Sequence, residues 1–305
     1  MKRELKASIM LFATAIIWGL AFVAQAAGME HLGPLSFTAS RCFVAVVFLY
    51  LTYKFFMIKS ASYREEKFDM KRTLVGGSIC GLVFTIAINL QQVSLIYTTA
   101  AKASFLTALY IVFIPVIGLF FGRRPSVKII ICIFLAMVGT YLLSINGGLK
   151  INRGDLIVIL SALVFAIHIL LLTKYSTNTN AVLVSLVQFA VCGVISLVGA
   201  LVLEDISMEA ILKSQVTILY VGILSSGVGF TIQLMALKDL EPVVASMICS
   251  LESVFGALFG WLILSQEMTE REIFGAIIIF LATIFAQVPI ETYLEKRLER
   301  KLNRG

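Results

Sequence analysis

Charge is scarce along this chain. Asp, Glu, Lys and Arg make up 14% of its 305 residues, against about 25% in an average soluble protein. Hydrophobic residues reach 59% and the mean hydropathy is +0.97, a balance that excludes a soluble globular domain. Histidine is nearly missing: His31 and His168 are the two present. With them there is no H-E-x-x-H zinc motif, no Walker loop and no aspartate pair inside an apolar run. Gly76-Gly77-Ser78 has the look of a nucleophile turn but no base to serve it. The sequence therefore leads us to expect no catalytic residue, no cofactor and no metal, and it excludes ATP-driven pumping by this chain alone. The cysteines (Cys42, Cys80, Cys132, Cys192 and Cys249) all fall within apolar runs without C-x-x-C spacing. They read as small packing residues, with no disulfide framework. Proline is as rare, and Pro115 alone lies deep within a run, where it removes a backbone hydrogen bond and is expected to bend its helix.

What the chain has in abundance is long hydrophobic runs. A helical membrane span needs roughly 20 mostly apolar residues, and ten segments qualify: 8–28, 35–56, 73–95, 99–121, 127–145, 154–173, 181–203, 214–236, 242–264 and 272–290. They are too long and too uniformly apolar for β-barrel strands. The first run resembles a signal peptide, with Lys2, Arg3 and Lys6 ahead of it and Ala24-Gln25-Ala26 behind. It has full span length, however, and its removal would leave the first half one helix short, so it is read as retained. Lys and Arg crowd the segments on one side: Lys2, Arg3 and Lys6, then Lys54 to Arg72, then Arg123, Arg124 and Lys128, Lys174, Lys238, and Lys296 to Arg304. The other side holds Lys150, Arg153, Lys213 and Arg271. By the positive-inside rule both termini are expected in the cytoplasm of a multi-pass protein of the cell's inner (plasma) membrane. The net charge of +7 is then a mark of topology, and no nucleic-acid partner is implied. The tail 291–305 alternates signs and reads as a short basic cytoplasmic segment at the headgroups.

The chain is also written twice. Phe84-Thr85-Ile86 returns as Phe230-Thr231-Ile232, Ser104 as Ser250, and Phe134-Leu135-Ala136 as Phe280-Leu281-Ala282, each 146 positions on; an offset of 147 carries Ala15 and Trp18 onto Ala162 and Phe165. Two units result, 8–145 and 154–290, of five spans each. An odd span count between copies inverts the second one, so the expected fold is an all-α membrane protein of ten helices in two inverted five-helix repeats. Thr85 and Thr231 are expected at equivalent places. Secondary transporters are often built this way, with a solute site near the midplane where the halves meet.

An ionisable residue inside a span is a functional hypothesis by default. Arg41 lies about 9 Å below one boundary, Lys102 about 5 Å, His168 about 20 Å and Glu252 about 15 Å, at 1.5 Å of rise per residue. Glu252 shares an i, i+4 stripe with Gly256 and Gly260, where another helix can approach closely; it reads either as a hydrogen-bonding strut or as a contact to solute or proton. Arg41 needs an anionic or carbonyl partner, and Lys102 can snorkel to water. His168 reads as a packing residue or a proton group. Polar stripes run along the third span (Thr85, Asn89, Gln92) and the ninth (Ser246, Ser250, Ser253), with Gln233 on the eighth; each is interhelical glue or cavity wall. Trp18 lies mid-span, away from the interfacial belts where Trp gathers, and is placed to stack on a ligand. Trp261, near a span end, reads as a belt residue.

Ile17-Trp18-Gly19, Arg41 after Phe37-Thr38, Ala100 to Leu109 with Pro115, Glu241-Pro242, Ser250 to Phe255 and Gly260-Trp261 followed by Glu267 stand in an order that resembles the drug/metabolite transporter superfamily, in its EamA-type branch. The likeness covers about residues 8–290. It implies a central cavity lined by helices one to four of each half, with the fifth helices peripheral, and export of amino acids or related metabolites. Two departures are that Gly122-Arg123-Arg124-Pro125 lacks the acid that Glu267 supplies in the second half, and that the seventh span has no arginine to match Arg41. The expectation is a carrier of small metabolites working by alternating access, with Trp18, Arg41, Asn89, Gln92, Lys102, His168, Gln233, Ser250 and Glu252 as candidate substrate-binding residues. Its partners would be a small-molecule solute and the lipid bilayer, with proton coupling open and the protein a monomer or homodimer. The alternatives are an exporter of cationic drugs, a facilitative channel, or a non-transporting intramembrane enzyme or scaffold.

Overall fold

Helix runs through nearly the whole chain in the computed structural model, which describes residues 2–122, 124–144, 152–264 and 269–287; no strand occurs among them. The first half comprises α1 (Lys2–Gly28), α2 (Pro34–Lys59), the short α3 (Ala61–Glu65), α4 (Met70–Ser94), α5 (Ala100–Thr107), α6 (Tyr110–Phe120) and α7 (Val127–Ser144). The second begins with α8 (Arg153–Tyr175), α9 (Ala181–Leu203) and α10 (Met208–Lys213). Next come α11 (Gln215–Tyr220), a π-helix (Val221–Gly229) and α12 (Phe230–Ala236), which form one continuous rod. It closes with α13 (Pro242–Cys249), α14 (Glu252–Leu264) and α15 (Glu270–Gln287). Eight helical stretches among the described residues are long and apolar enough to cross a membrane, and α7 is a shorter apolar helix. The unit boundary at 145, Glu267, the last residues of the tenth run and the tail 291–305 lie outside the described residues.

Local chemistry sets the helix ends. Asp69, Thr99 and Asn180 each accept a backbone N–H of the first turn that follows, and Asn152 with Asp155 closes a capping box. Pro34 and Pro242 open α2 and α13, where a missing N–H costs nothing. The Glu204 carboxylate, at the end of α9, accepts Leu35 N and Ser36 N at 2.8 Å, and so caps α2 from another element. Arg72 donates to the carbonyls of Lys174 and Thr177 at the end of α8, a cation where the helix dipole is negative.

Packing is that of a protein in lipid. On α9 the buried residues are Ala181, Val182, Val184, Ser185, Gln188, Phe189, Cys192, Gly193, Ser196 and Ala200, while Val194, Val198, Leu201 and Val202 are exposed. Small and polar residues are thus gathered on the buried side, beside Val182, Val184 and Phe189, and the exposed residues are apolar.

Two interruptions and one π-helix were not legible as such in the sequence. The fourth run breaks at Ala108–Leu109, and Pro115 stands inside α6. The ninth breaks at Ser250–Leu251, so the Ser246–Ser250–Ser253 stripe spans two helices. At each break the backbone tightens to i→i−3 bonds: Leu109 N to Leu106 O and Ile111 N to Ala108 O, then Leu251 N to Ile248 O and Ser253 N to Ser250 O.

These bonds repeat at 142 positions, which corrects the register. The caps Thr99 and Glu241, the helices 100–107 and 242–249, and the bonds of Gln91 to Thr107 and Gln233 to Cys249 all keep that spacing. In the fifth span of each half it is 143: Thr140 bonds to Ala136 O as Thr283 does to Ile279 O. The 147 offset holds for α1 and α2, since α8 ends and α9 begins 147 residues after them. The matches at 146 are coincidental: Thr231 falls opposite Asn89 rather than Thr85, and Ser250 opposite Ala108 rather than Ser104. At 147, Arg41 has the buried Gln188 as its neutral counterpart.

Exchange of the halves maps the packing onto itself. The pairs α2 with α9 and α7 with α15 are self-related; α1 against α13 and α14 answers α8 against α5 and α6. The α11–α12 rod meets α1 and α2 as α4 meets α8 and α9.

Candidate functional site

A narrow cavity of about 50 Å³ lies where the two halves meet. Its wall is built largely from residues related by the repeat. Trp18 and Phe165, Ala21 and His168, and Phe22 and Ile169 keep the 147 spacing, while Ile88 and Phe230, Gln91 and Gln233, and Tyr110 and Glu252 keep the 142 spacing. The Tyr110 hydroxyl donates to Glu252 Oε1 at 3.5 Å, a long bond that joins equivalent positions and therefore crosses the exchange axis. The breaks before Tyr110 and Glu252 put both side chains at the first position of a new helix, which is how one turn of each half aims at the same space.

Of the residues proposed from sequence, Trp18, Arg41, His168, Gln233 and Glu252 line this cavity. Trp18 donates its indole N–H to Ser225 O at 3.1 Å, on the π-helix, and its ring lies 4.7 Å from that of Phe230. Gly229 makes this fit possible, since a Cβ there would lie 2.6 Å from Trp18 Nε1. Arg41 is 1% exposed and donates from Nη1 to Gln25 Oε1 at 2.8 Å. No carboxylate among the described residues pairs with it. Gly19, whose Cβ position sits 2.9 Å from the Glu252 carbonyl, and Gln25 are separated by about 9 Å of rise along α1. The contacts that Arg41 and Glu252 make with α1 are thus nearly two turns apart. His168 Nε2 is 2.8 Å from Gln188 Oε1, and the His168, Phe84, Phe189 and Phe230 rings form one cluster.

The other four proposed residues are outside the cavity wall. Asn89 donates to Ser196 Oγ at 2.8 Å and ties α4 to α9, and Gln92 donates to Met29 Sδ; this stripe is glue, and Ile88 and Gln91 form the wall instead. Ser250 Oγ turns back to Met247 O within its own break. Lys102 is ion-paired with Asp155, which also accepts from Thr98, so its charge is neutralised at the start of α8. Among the residues that sequence reasoning missed, Gln25, Gln91 and Tyr110 carry the polar part of the wall, and Phe22, Phe165 and Phe230 the aromatic part. The 142 register was the available signal, since it pairs Gln91 with Gln233 and Tyr110 with Glu252.

Two stretches, residues 5–145 and 152–287, match the model of the EamA-like transporter family. An uncharacterized transporter of Archaeoglobus fulgidus is 27% identical over 94% of this chain and 88% of its own length. The uncharacterized transporter YoaV of Bacillus subtilis is 24% identical over 90% of this chain and 94% of its own. A solved crystal structure shares the fold at a TM-score of 0.74 and 15% identity, over 96% of this chain and 99% of the other.

Proposed function

The chain belongs to the EamA-like transporter family, and from that premise we propose that it exports a small zwitterionic metabolite, such as an amino acid, across the inner (plasma) membrane by alternating access. It is a multi-pass membrane transporter of two repeats; the proposal adds ten spans, an inverted second repeat, units at 8–145 and 154–290, and both termini in the cytoplasm. One observation carries the reading: Arg41 and Glu252, opposite in charge and both buried, line the same cavity without pairing with each other. A buried charge without a partner costs on the order of several kcal/mol, so a solute that brings both a carboxylate and an ammonium stabilises both ends at once. The exchange-related wall also supports alternating access, because either half can swing about the cavity in the same manner. An exporter of cationic drugs would use Glu252 among the aromatic rings, but Arg41 in the same space opposes a purely cationic solute.

Metabolite profiling of the medium around overexpressing and deleted cells tests this reading. The expected result is one or a few amino-acid-like compounds that rise outside with overexpression and accumulate inside on deletion. Unchanged profiles, or export of permanent cations alone, would overturn the substrate assignment.

A further inference from the structure

Two acceptors in the cavity wall have no hydrogen-bond partner among the described residues, and their side chains line the same cavity as Glu252. Gln233 directs its Nε2 to Cys249 Sγ, which leaves Oε1 without a donor. His168 meets Gln188 Oε1 through Nε2; with that oxygen accepting, Nε2 is the donor, and in the neutral ring the lone pair is then on Nδ1. Nδ1 is likewise without a donor. His168, Gln233 and Glu252 are 0%, 3% and 4% exposed and reach the cavity from three different helices. They are also linked in space. Phe230, whose ring is 6.2 Å from that of His168, lies one turn from Gln233 on α12, and Gln233 touches Cys249, one turn before Glu252. Trp18, Phe165 and Phe230 supply aromatic rings around the same place. Buried acceptors are normally satisfied; at these two the missing element is a donor, while at Arg41 Nε, on the same wall, it is an acceptor.

We infer that His168 Nδ1, Gln233 Oε1 and the Glu252 carboxylate form a site for an ammonium group that carries N–H bonds, and that the site selects primary amines over quaternary ammonium ions. A primary ammonium has three N–H donors for three acceptors. A quaternary ion keeps the attraction to the rings and the carboxylate, but it satisfies neither Gln233 nor His168. Rejecting a ligand that lacks a required donor is a strong form of selection, because the buried polar groups are left unpaired. This rests on the reading of the cavity as the solute site and adds which chemistry it accepts.

The chain's two tryptophans, Trp18 and Trp261, allow a direct test. In a Trp261→Phe background Trp18 is the sole indole and reports on the cavity. The purified protein in detergent is titrated with 2-phenylethylamine and with its N,N,N-trimethyl analogue while Trp18 fluorescence is followed. The primary amine is expected to bind at least about tenfold more tightly. Gln233→Met and His168→Phe should each erase most of that preference by weakening the primary amine while leaving the quaternary one nearly unchanged. Unfolding curves verify each variant, and either one alone suffices. Equal affinities, no response to either amine, or a preference unaltered in a folded variant would overturn the site. No gradient exists in detergent, so the two readings fail separately. An intact amine preference with no export in cells retires the carrier proposal, and export without the preference retires this one.

Discussion

Glu252 and Arg41 stand out in the sequence for the same physical reason: a charge in an apolar run is costly enough that it is rarely there without a task. Trp18 stands out by its depth. All three line the cavity. Gln25, Gln91 and Tyr110 line it too, yet amides and phenols are tolerated in spans as interhelical glue, and nothing in their own chemistry separates them from Asn89 or Gln92. Which neighbour on the helix faces the cavity was a matter of one residue of rotation, and the sequence does not settle that. Glu252→Gln tests the most exposed of these assignments. It keeps the shape and a head that can meet Tyr110, and removes the negative charge and the ability to carry a proton. A hydrogen bond to a charged group contributes about 1.5–3 kcal/mol. The variant should therefore fold normally and lose about ten- to a hundredfold in apparent affinity for its solute, or lose the pH dependence of transport. Near wild-type transport across pH, with folding verified, would reduce Glu252 to a strut and leave Arg41 as the better anchor.

Helices as units were legible, since nothing else accounts for runs of this length and apolarity. Their interior breaks were not. The tightening at Ala108–Leu109 and Ser250–Leu251 leaves no mark of its own, while Pro115, the conspicuous residue, sits within a helix. The π-helix did have a trace in Gly222, Ser225, Ser226, Gly227 and Gly229, residues small enough for α1 and α2 to come close. The repeat register failed for a related reason: Phe, Leu, Ile and Ala are so common here that three-residue identities arise by chance, whereas caps and breaks are set by geometry. Close approach between elements gives a stability prediction. A Cβ at Gly19 would lie 2.6 Å from Phe255 Cβ and 2.8 Å from Gly256 N, against backbone that cannot yield. At Gly199 it would meet Leu35 Cδ1 at 3.2 Å, a movable side-chain tip. Gly19→Ala should destabilise by about 1–3 kcal/mol, as overpacking does, and Gly199→Ala by little. Thermal unfolding in detergent would read a clear drop in midpoint for the first alone. Equal midpoints would mean that α1 and α14 do not meet as closely as described.

At the scale of the whole molecule, the two-repeat architecture came through although three of the four matches that suggested it were out of register. The duplication is a property of span order, and it survives an error of four residues in alignment. Orientation rests on different physics, the placement of Lys and Arg about the bilayer, and it makes a prediction independent of the repeat. Cysteine accessibility in intact cells can test it, because Cys42, Cys80, Cys132, Cys192 and Cys249 are all buried and should stay silent toward an impermeant thiol reagent. Ser62 lies between the second and third expected spans, among the basic residues assigned to the cytoplasm, and Ser207, which caps α10, lies in a segment assigned to the outside. Ser62→Cys should be protected until the cells are opened, and Ser207→Cys should react at once. The reverse pattern would turn the protein over in the membrane. The proposed direction of export would then need its own evidence, while the cavity, its exchange symmetry and its ammonium site would stand, since none of them depends on which side faces in.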